Sequence, residues 1–388
     1  MKVLFIEPCF ENFGGYFRAV GLAKSLARKG LKIDLLCPSK ESFSFRIKKK
    51  ILEKNLVRWE LPRWEIHFFI NGRFARGIIS SLFVLFRKYD LIHVFASAQI
   101  ESVIPFWVAK LLGKRIIFDW DDYWQGSPLF ENSGALVRRY LSFLENMIPK
   151  YSKYMTVTST FLKKEAEKLG AKEVLKVING VDLSQFAPVG RLKARKRLGI
   201  GLQEKMILSF GNTYGGKRAF LLLKTFSEIL KLDPTVKLYF RFKPELFLED
   251  KRIKKQIDPS VFKNLIVTGF IKDELLPFYL GAADVMLFLM GNSSGEKACF
   301  PIRVGTYLNG GKVIATNKTE TEMCFTLAEF DCALIGNNPS GVAWEVIKFF
   351  KDEKFRKKKK TNALKAKEDL SWDNLVVKLM KFYDVLEK

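Results

Sequence analysis

Histidine is almost missing. The chain has two, His67 and His93, in 388 residues. His93 lies within a strand pattern and reads as structural, and His67 has no constellation of reactive residues around it. Cysteine is sparse as well. Cys9, Cys37, Cys299, Cys324 and Cys332 are scattered, odd in number and without CxxC spacing. That argues against a disulfide framework or a zinc site, and predicts reduced, mostly buried thiols of a cytosolic protein. Long apolar runs are absent. The longest, residues 77–86, falls far below the ~18 residues that span a bilayer. The opening MKVLFIEPCF has one Lys and a short apolar core that starts a strand, too short for a signal peptide. Acid is in short supply, with 41 Asp and Glu against 66 Lys and Arg, a net charge of +25. Such a surface is either simply solvated or drawn to polyanions. No nucleic-acid-binding motif lies among the Lys runs, so an anionic membrane face is the favoured partner and nucleic acid is not expected.

What is present suffices for two cored domains, because 48% of the residues are hydrophobic. Val3–Ile6 is a strand of consecutive apolar residues. Gly14-Gly15 follows, then a helix over 18–28 with Gly30 as its C-cap, then a strand over 31–37. The glycines let backbone N–H groups at the helix start approach an anion, although a plain tight turn is on its own the better explanation of them.

Residues 38–86 are basic and aromatic, including Arg46, Lys48, Lys49, Lys50, Arg58, Trp59, Arg63, Trp64, Arg73, Phe74 and Arg76. Rings beside cations suit an anionic membrane surface. The bland alternative is a solvated loop leading to a core-packing helix over 75–87. A strand at 89–95, a helix at 102–112 and a strand at 114–118 lead to Asp119-Trp120-Asp121-Asp122-Tyr123-Trp124. Carboxylates there can accept hydroxyl hydrogens and rings can stack on sugar faces. Alternatively, Asp caps the next turn and the Trp residues are core. Further on come a strand at 174–178, then Asn179-Gly180-Val181-Asp182 with Phe186 and Pro188.

A second strand–Gly-rich loop–helix unit follows: a strand over 206–210, Gly211 to Arg218, and a helix over 219–230. A strand over 236–242 runs on into Lys243, so Arg241 or Lys243 can add charge there. Residues 272–283 have helical spacing. Val285–Met290 is short and wholly apolar, as suits a parallel strand covered on both faces. A polar loop over 291–298 sits at its carboxyl end, where open α/β sheets bind ligands. A helix starts at Pro301, and Lys312–Thr316 is another strand. The basic run 351–360 reads as a solvated helix face, and a last helix starts at Ser371-Trp372.

Residues 267–316 resemble the donor half of the group 1 retaining glycosyltransferases. The resemblance rests on Gly269, Asp273-Glu274-Leu275-Leu276-Pro277, Tyr279-Leu280, Ala283-Asp284-Val285, Pro301, Arg303, Tyr307 and Gly311-Lys312. It extends to Gly14-Gly15, the Asp119–Asp122 string, Asn179–Asp182 with Phe186 and Pro188, and Ser371-Trp372. It implies an α/β protein with two Rossmann-like domains facing across a cleft (GT-B). Residues 1–188 would be the acceptor-side domain, 189–370 the nucleotide-sugar domain and 371–388 a helix crossing back. The implied donor is a nucleotide-diphosphate sugar of UDP or GDP type, transferred with retention, without a metal or other cofactor. The implied acceptor is a glycan or lipid-linked sugar in cell-surface polysaccharide or glycolipid assembly, at the cytoplasmic side with peripheral membrane contact.

Residue by residue, the resemblance makes Asp121, Asp122, Lys217 and Glu296 the catalytic candidates. Gly14, Gly15, Asn212, Lys217, Arg218, Phe270, Ile271, Arg303 and Thr306 become donor contacts. Three departures stand out. Asn212 replaces an Arg of the phosphate clamp, Thr306 replaces the Glu that holds the ribose, and Ala298 replaces an earlier Glu, with Glu296 two residues away. They keep a second reading open, a binding subunit of a glycan-assembly complex with weak or no catalysis.

Overall fold

A computed structural model describes residues 1–11, 13–64, 72–96, 99–210, 216–240 and 257–386, without the side chains of residues 128, 129, 216 and 217. The chain divides into two compact units. One comprises residues 1–180, 293–302 and 372–388, and the other 181–292 and 303–371.

The first unit is built on β1 (Lys2–Ile6), α1 (Gly14–Arg28), β2 (Lys32–Pro38), β3 (Lys48–Glu53), β4 (Leu56–Leu61), α2 (Arg73–Phe86), β5 (Leu91–Phe95), α3 (Ile100–Leu111), β6 (Ile116–Trp120), α4 (Pro128–Glu131), α5 (Ala135–Tyr151), β7 (Tyr154–Val157), α6 (Thr160–Lys168) and β8 (Glu173–Lys176). Its eight strands run in the order β3-β4-β2-β1-β5-β6-β7-β8. All pairs are parallel except β3–β4. The core strands are buried along their length because helices cover both faces. One layer sets α2, α3, α5 and α6 against the sheet. The other holds α1 and the final helix, Trp372–Val385, so the chain's end crosses back onto its beginning.

One expectation needs correction here, and one helix had no expectation before it. Residues 48–61 form a hairpin rather than a loop. Lys48–Glu53 reads KKKILE, without apolar alternation, because it is an exposed edge strand kept charged. Residues 135–151 form a long helix whose amino-terminal half stands in solvent, so only its second half shows an apolar face.

The second unit begins with α7 (Arg191–Leu198), β9 (Lys205–Ser209), α8 (Gly216–Leu232) and β10 (Val236–Phe240). It continues with β11 (Leu265–Val267), β12 (Val285–Leu287), β13 (Val313–Asn317) and β14 (Ala333–Gly336). Its parallel sheet has the order β11-β10-β9-β12-β13-β14. That is the doubly wound order of a Rossmann fold, with its switch point between β9 and β12. Strand β12 is shorter than the apolar run predicts. Beyond it, Asn317 staples Met290, its amide donating to Met290 O at 2.8 Å and its oxygen accepting from Met290 N at 3.0 Å. The helix expected from Lys272 begins at Leu276 after a turn, and the one expected at Pro301 begins at Ile302.

Candidate functional site

The switch point of the first unit lies between β1 and β5, and a polar cluster gathers at the carboxyl ends of these strands and of β6 and β7. Its anchor is an ion pair. Asp119 is a charged residue in an otherwise apolar strand, and its side chain is fully buried. Arg18, on the inward face of α1, meets it with two parallel bonds, Nε to Oδ1 at 2.7 Å and Nη2 to Oδ2 at 2.8 Å. Its remaining nitrogen, Nη1, donates to Asn179 Oδ1 at 3.1 Å. Both partners are fully buried, so the fork geometry is what makes the pair tolerable. Arg18 and the neighbouring His93 hold the Asp119 carboxyl far below its usual range, against the opposing effect of burial.

A hydrogen-bond chain runs on from this pair. Thr156 Oγ1 donates to Asp119 Oδ2. His93 Nε2 lies 3.2 Å from Thr156 Oγ1, and His93 Nδ1 lies 2.7 Å from the Tyr383 hydroxyl. With Thr156 donating, His93 is the neutral Nε2–H tautomer and Tyr383 donates to it. Burial lowers the His93 pKa, which agrees with a neutral ring. The expectation of a structural His93 therefore stands, and His67 lies outside the described residues.

The other carboxyls in the cluster are less fully bonded. Glu7 follows β1 and is buried. Its Oε1 accepts from Cys9 N at 2.7 Å, and its Oε2 has no partner. Burial pushes its pKa up to about 8. A Cβ on Gly15 would come within 3.0 Å of Glu7 Oε1, so the second glycine of the turn admits this carboxyl; nothing crowds Gly14. Helix α1 starts at Gly14 with no side-chain cap and no acid in its first turn, leaving its N–H groups available to an anion.

Asp121 and Asp122 sit beyond β6. Burial and the neighbouring Asp122 push the Asp121 carboxyl well up. Asp122 rises to about 6, also from burial, although the Cys299 thiol bonded to it and Arg18 pull the other way. By surface area Asp122 is exposed; protein atoms crowd it, yet its carboxylate remains reachable. Both shifts run the same way, so protons are held more tightly at Asp121 and Asp122 than on an ordinary aspartate. Neither Asp caps a helix. The turn that follows is held by the buried Glu145, which accepts from Trp124 N at 2.7 Å and Gln125 N at 2.9 Å.

Residues 293–302 complete this cluster. They come late in the chain but pack with the first unit. Thr158 Oγ1 lies 2.9 Å from Asp121 O and 3.1 Å from Ala298 O, and Asn179 Nδ2 donates to Phe300 O at 2.7 Å. The expected polar loop there is partly a short helix, Ser294–Ala298, with a capping box. Ser293 bonds Glu296 N, and the Glu296 carboxylate bonds Ser293 N at 3.2 Å and Oγ at 2.8 Å. Glu296 is thus engaged locally.

The donor contacts expected in the second unit are placed as follows. Lys217 falls in the first turn of α8; its side chain, Asn212, Arg241 and Lys243 lie outside the described set. Arg218 and Arg303 are half-buried. Thr306 is buried on the helix Ile302–Asn309. The next residue, Tyr307, donates its hydroxyl to Phe210 O at 2.7 Å, tying that helix to the end of β9. Ile271 is buried and Phe270 is 73% exposed. Among the described residues, no group of three His, Cys, Asp or Glu has a geometry that holds a metal, and no helix is long and apolar enough to cross a membrane.

The basic-aromatic stretch splits in two. Arg58 bonds Glu60 and Tyr16, Arg63 stands 3.6 Å over the Phe10 ring, and Arg76 pairs with Glu101 at 3.1 Å. These three cations are buried structural groups and do not face a membrane. Phe43, Phe45, Ile51 and Phe74 remain exposed.

No protein-family model matches the chain, and no curated protein matches it in sequence. Solved structures do. Sucrose-phosphate synthase from Thermosynechococcus elongatus matches at 16% identity and a TM-score of 0.70, over 99% of this chain and 98% of that one. A glycosyltransferase from Rickettsia africae matches at 13% and 0.70, over 100% and 98%. Anabaena Alr3699/HepE, solved with UDP and glucose, matches at 15% and 0.68, over 100% and 99%. Across its whole length the chain therefore has the fold of these glycosyltransferases, two Rossmann-like α/β units of the GT-B type.

Proposed function

We propose that the chain is a retaining glycosyltransferase that moves a sugar from a nucleotide-diphosphate donor to a glycan or lipid-linked acceptor. The observation that carries this reading is the carboxyl pair at the end of β6. Asp119 is committed to Arg18, which leaves Asp121, its carboxyl raised by burial and by Asp122, beside Asp122 at about 6. Asp122 accepts a hydrogen bond from the acceptor hydroxyl and orients it; Asp121 donates to a neighbouring sugar oxygen. The second unit supplies the donor's partners, with Lys217 and Arg218 at the start of α8 and Arg303 meeting the diphosphate as charge develops. In this reading protein cations, not a metal ion, neutralise the leaving group. Transfer takes place at the cytoplasmic face of a membrane, in polysaccharide or glycolipid assembly.

A catalytically weak binding subunit is the second reading. It is favoured by the capping-box engagement of Glu296 and by Thr306, a neutral side chain where the resemblance has a carboxylate.

UDP-glucose is the first donor to test, since the Anabaena neighbour was solved with it. The enzyme reading expects donor hydrolysis or transfer that persists with chelator present and drops about 10²–10⁴-fold in Asp122→Asn and Lys217→Ala. The wild-type rate should rise with pH through about 6 as Asp122 ionises, and Asp122→Asn should lose that limb. Nucleotide binding with no sugar transferred to any lipid or glycan acceptor would establish the binding subunit instead.

A further inference from the structure

One cavity of the first unit takes no part in the cluster above. Its volume is about 290 Å³, and its lining includes Lys110, Lys114, Arg115, Tyr151, Lys153 and Leu386. It opens where β6 and β7 begin, at the end of the sheet opposite Glu7 and Asp122. Two turns bring the cations together. Gly113, at a φ of 62°, ends α3 and delivers Lys114 and Arg115 to the start of β6. Ser152 ends α5 and delivers Lys153 to the start of β7.

Four cations face this volume, and no acidic residue lines it among the described residues. Lys110 has a structural reason to be there. It is in the last turn of α3 and donates to Tyr151 O at 2.6 Å, as a cation at a helix carboxyl end should. The other three lie beyond the helix ends. Lys153 stands over the Tyr154 ring at 4.8 Å, a contact that positions the ammonium without neutralising it.

The rim is apolar. Leu111 is 83% exposed and Leu112 45%. Tyr151, which lines the cavity, is exposed too. Isolated exposed leucines mean little. Exposed apolar side chains beside a cavity with four cations and, among the described residues, no acid in its lining fit a leaflet that offers acyl chains and phosphates side by side.

We propose that this cavity is a headgroup site for anionic membrane lipid, with its cations on the phosphate and Leu111, Leu112 and Tyr151 entering the interface. The cavity suits a phosphate-bearing headgroup and is small for a nucleotide sugar. Because it lies at the far end of the sheet, it holds the protein to a leaflet without occupying the acceptor cluster. This gives the membrane contact proposed above an address, and it is read by binding alone, so it fails or stands apart from sugar transfer.

The test is flotation of the full chain with vesicles of phosphatidylcholine alone or mixed equally with phosphatidylglycerol. The chain should bind the mixed vesicles, less so as salt rises. Replacing Lys110, Lys114 and Lys153 by Gln should weaken binding on the order of 100-fold, about fivefold for each cation. A control with Lys193, Lys196 and Lys378 changed to Gln carries the same charge loss on exposed positions elsewhere and should lose less than about threefold. Leu111→Ser with Leu112→Ser should weaken vesicle binding while soluble glycerol phosphate still protects Lys114 from acylation. All of these residues but the partly sheltered apolar lining are exposed, and unchanged melting would confirm folding. Equal losses in the two triple variants would overturn the site in favour of diffuse charge. No loss in either would overturn it outright. A silent leucine variant, with glycerol phosphate displacing the vesicles, would make it a site for soluble phosphates and refute the membrane assignment.

Discussion

Replacing Glu7 by Gln should stabilise the protein, and more strongly as the pH rises. The buried carboxyl titrates at about 8, against an ordinary value of 4.5 in the unfolded chain. Between those values the folded chain keeps a proton that the unfolded chain has released. Each rise in pH therefore favours unfolding. The stability associated with the proton is complete below about 4.5, is lost progressively up to about 8, and changes no further above that. A span of about 3.5 pH units at 1.36 kcal/mol each sets an upper bound of about 5 kcal/mol, of which about 4 kcal/mol falls between pH 5 and pH 9. Gln cannot ionise, and its carbonyl oxygen still accepts from Cys9 N. The groups that face Glu7 act in opposite directions: Asp119 raises its pKa and Arg18 lowers it. A cavity of about 10 Å³ beside it is also lined by Arg76 and Glu101, which pair with each other. Urea unfolding of both proteins at pH 5, 7 and 9 would measure the gap. It should stay within about 1 kcal/mol at pH 5 and reach about 2–4 kcal/mol at pH 9. A gap independent of pH, or a Gln variant less stable than wild type at pH 9, would refute the claim that Glu7 is a carboxyl forced to stay neutral.

Two further substitutions probe the frame of the cluster. Arg18→Met leaves the buried Asp119 carboxylate without its counter-charge and should cost about 3–5 kcal/mol, measured by urea unfolding, with Arg18→Lys recovering part of the loss. Gly126→Ala should cost about 1–3 kcal/mol in the same assay, because its Cβ would stand 2.3 Å from Gly295 N. A wild-type melting curve for that variant would mean residues 293–302 do not seat against the turn after β6.

The strand–Gly-Gly–helix openings and the strands of the second sheet near 206–210, 236–242 and 312–316 were legible because parallel strands buried on both faces are continuous apolar runs. Arg18 was not picked out as a site residue, although two signals pointed to it. It precedes Leu22 and Leu26 at helical spacing, so it sits on the buried face of α1, and Asp119 is the lone charge in IIFDW. Two buried charges of opposite sign in one domain call for each other. Glu7 gave less warning, because a carboxylate just after a strand looks exposed until the fold closes over it. The hairpin 48–61 escaped because an edge strand is selected for charge rather than for alternation. The attachment of residues 293–302 to the first unit had no local signal at all, since it depends on backbone atoms of Gly126 and Gly295 and on carbonyls taken by Thr158 and Asn179.

The carboxyl cluster explains why the end of the chain returns to its beginning. Asp119 stays ionised through contacts from Arg18, on the first helix, and from Thr156, which is bonded to His93. His93 is in turn fixed by Tyr383 from the last helix. That helix is seated by Trp372, whose ring fills space that a Cβ at Gly21 or Gly180 would enter, at 2.3 and 2.7 Å. Gly21 is on α1, three residues after Arg18, and Gly180 follows Asn179, the third partner of Arg18. One tryptophan thus packs against both segments that hold the guanidinium. If Asp119 were protonated or free to turn, Asp121 would lose a charged neighbour that raises its pKa. The crossing helix therefore bears on the Asp121 carboxyl without touching it, through the ionisation state of one buried aspartate.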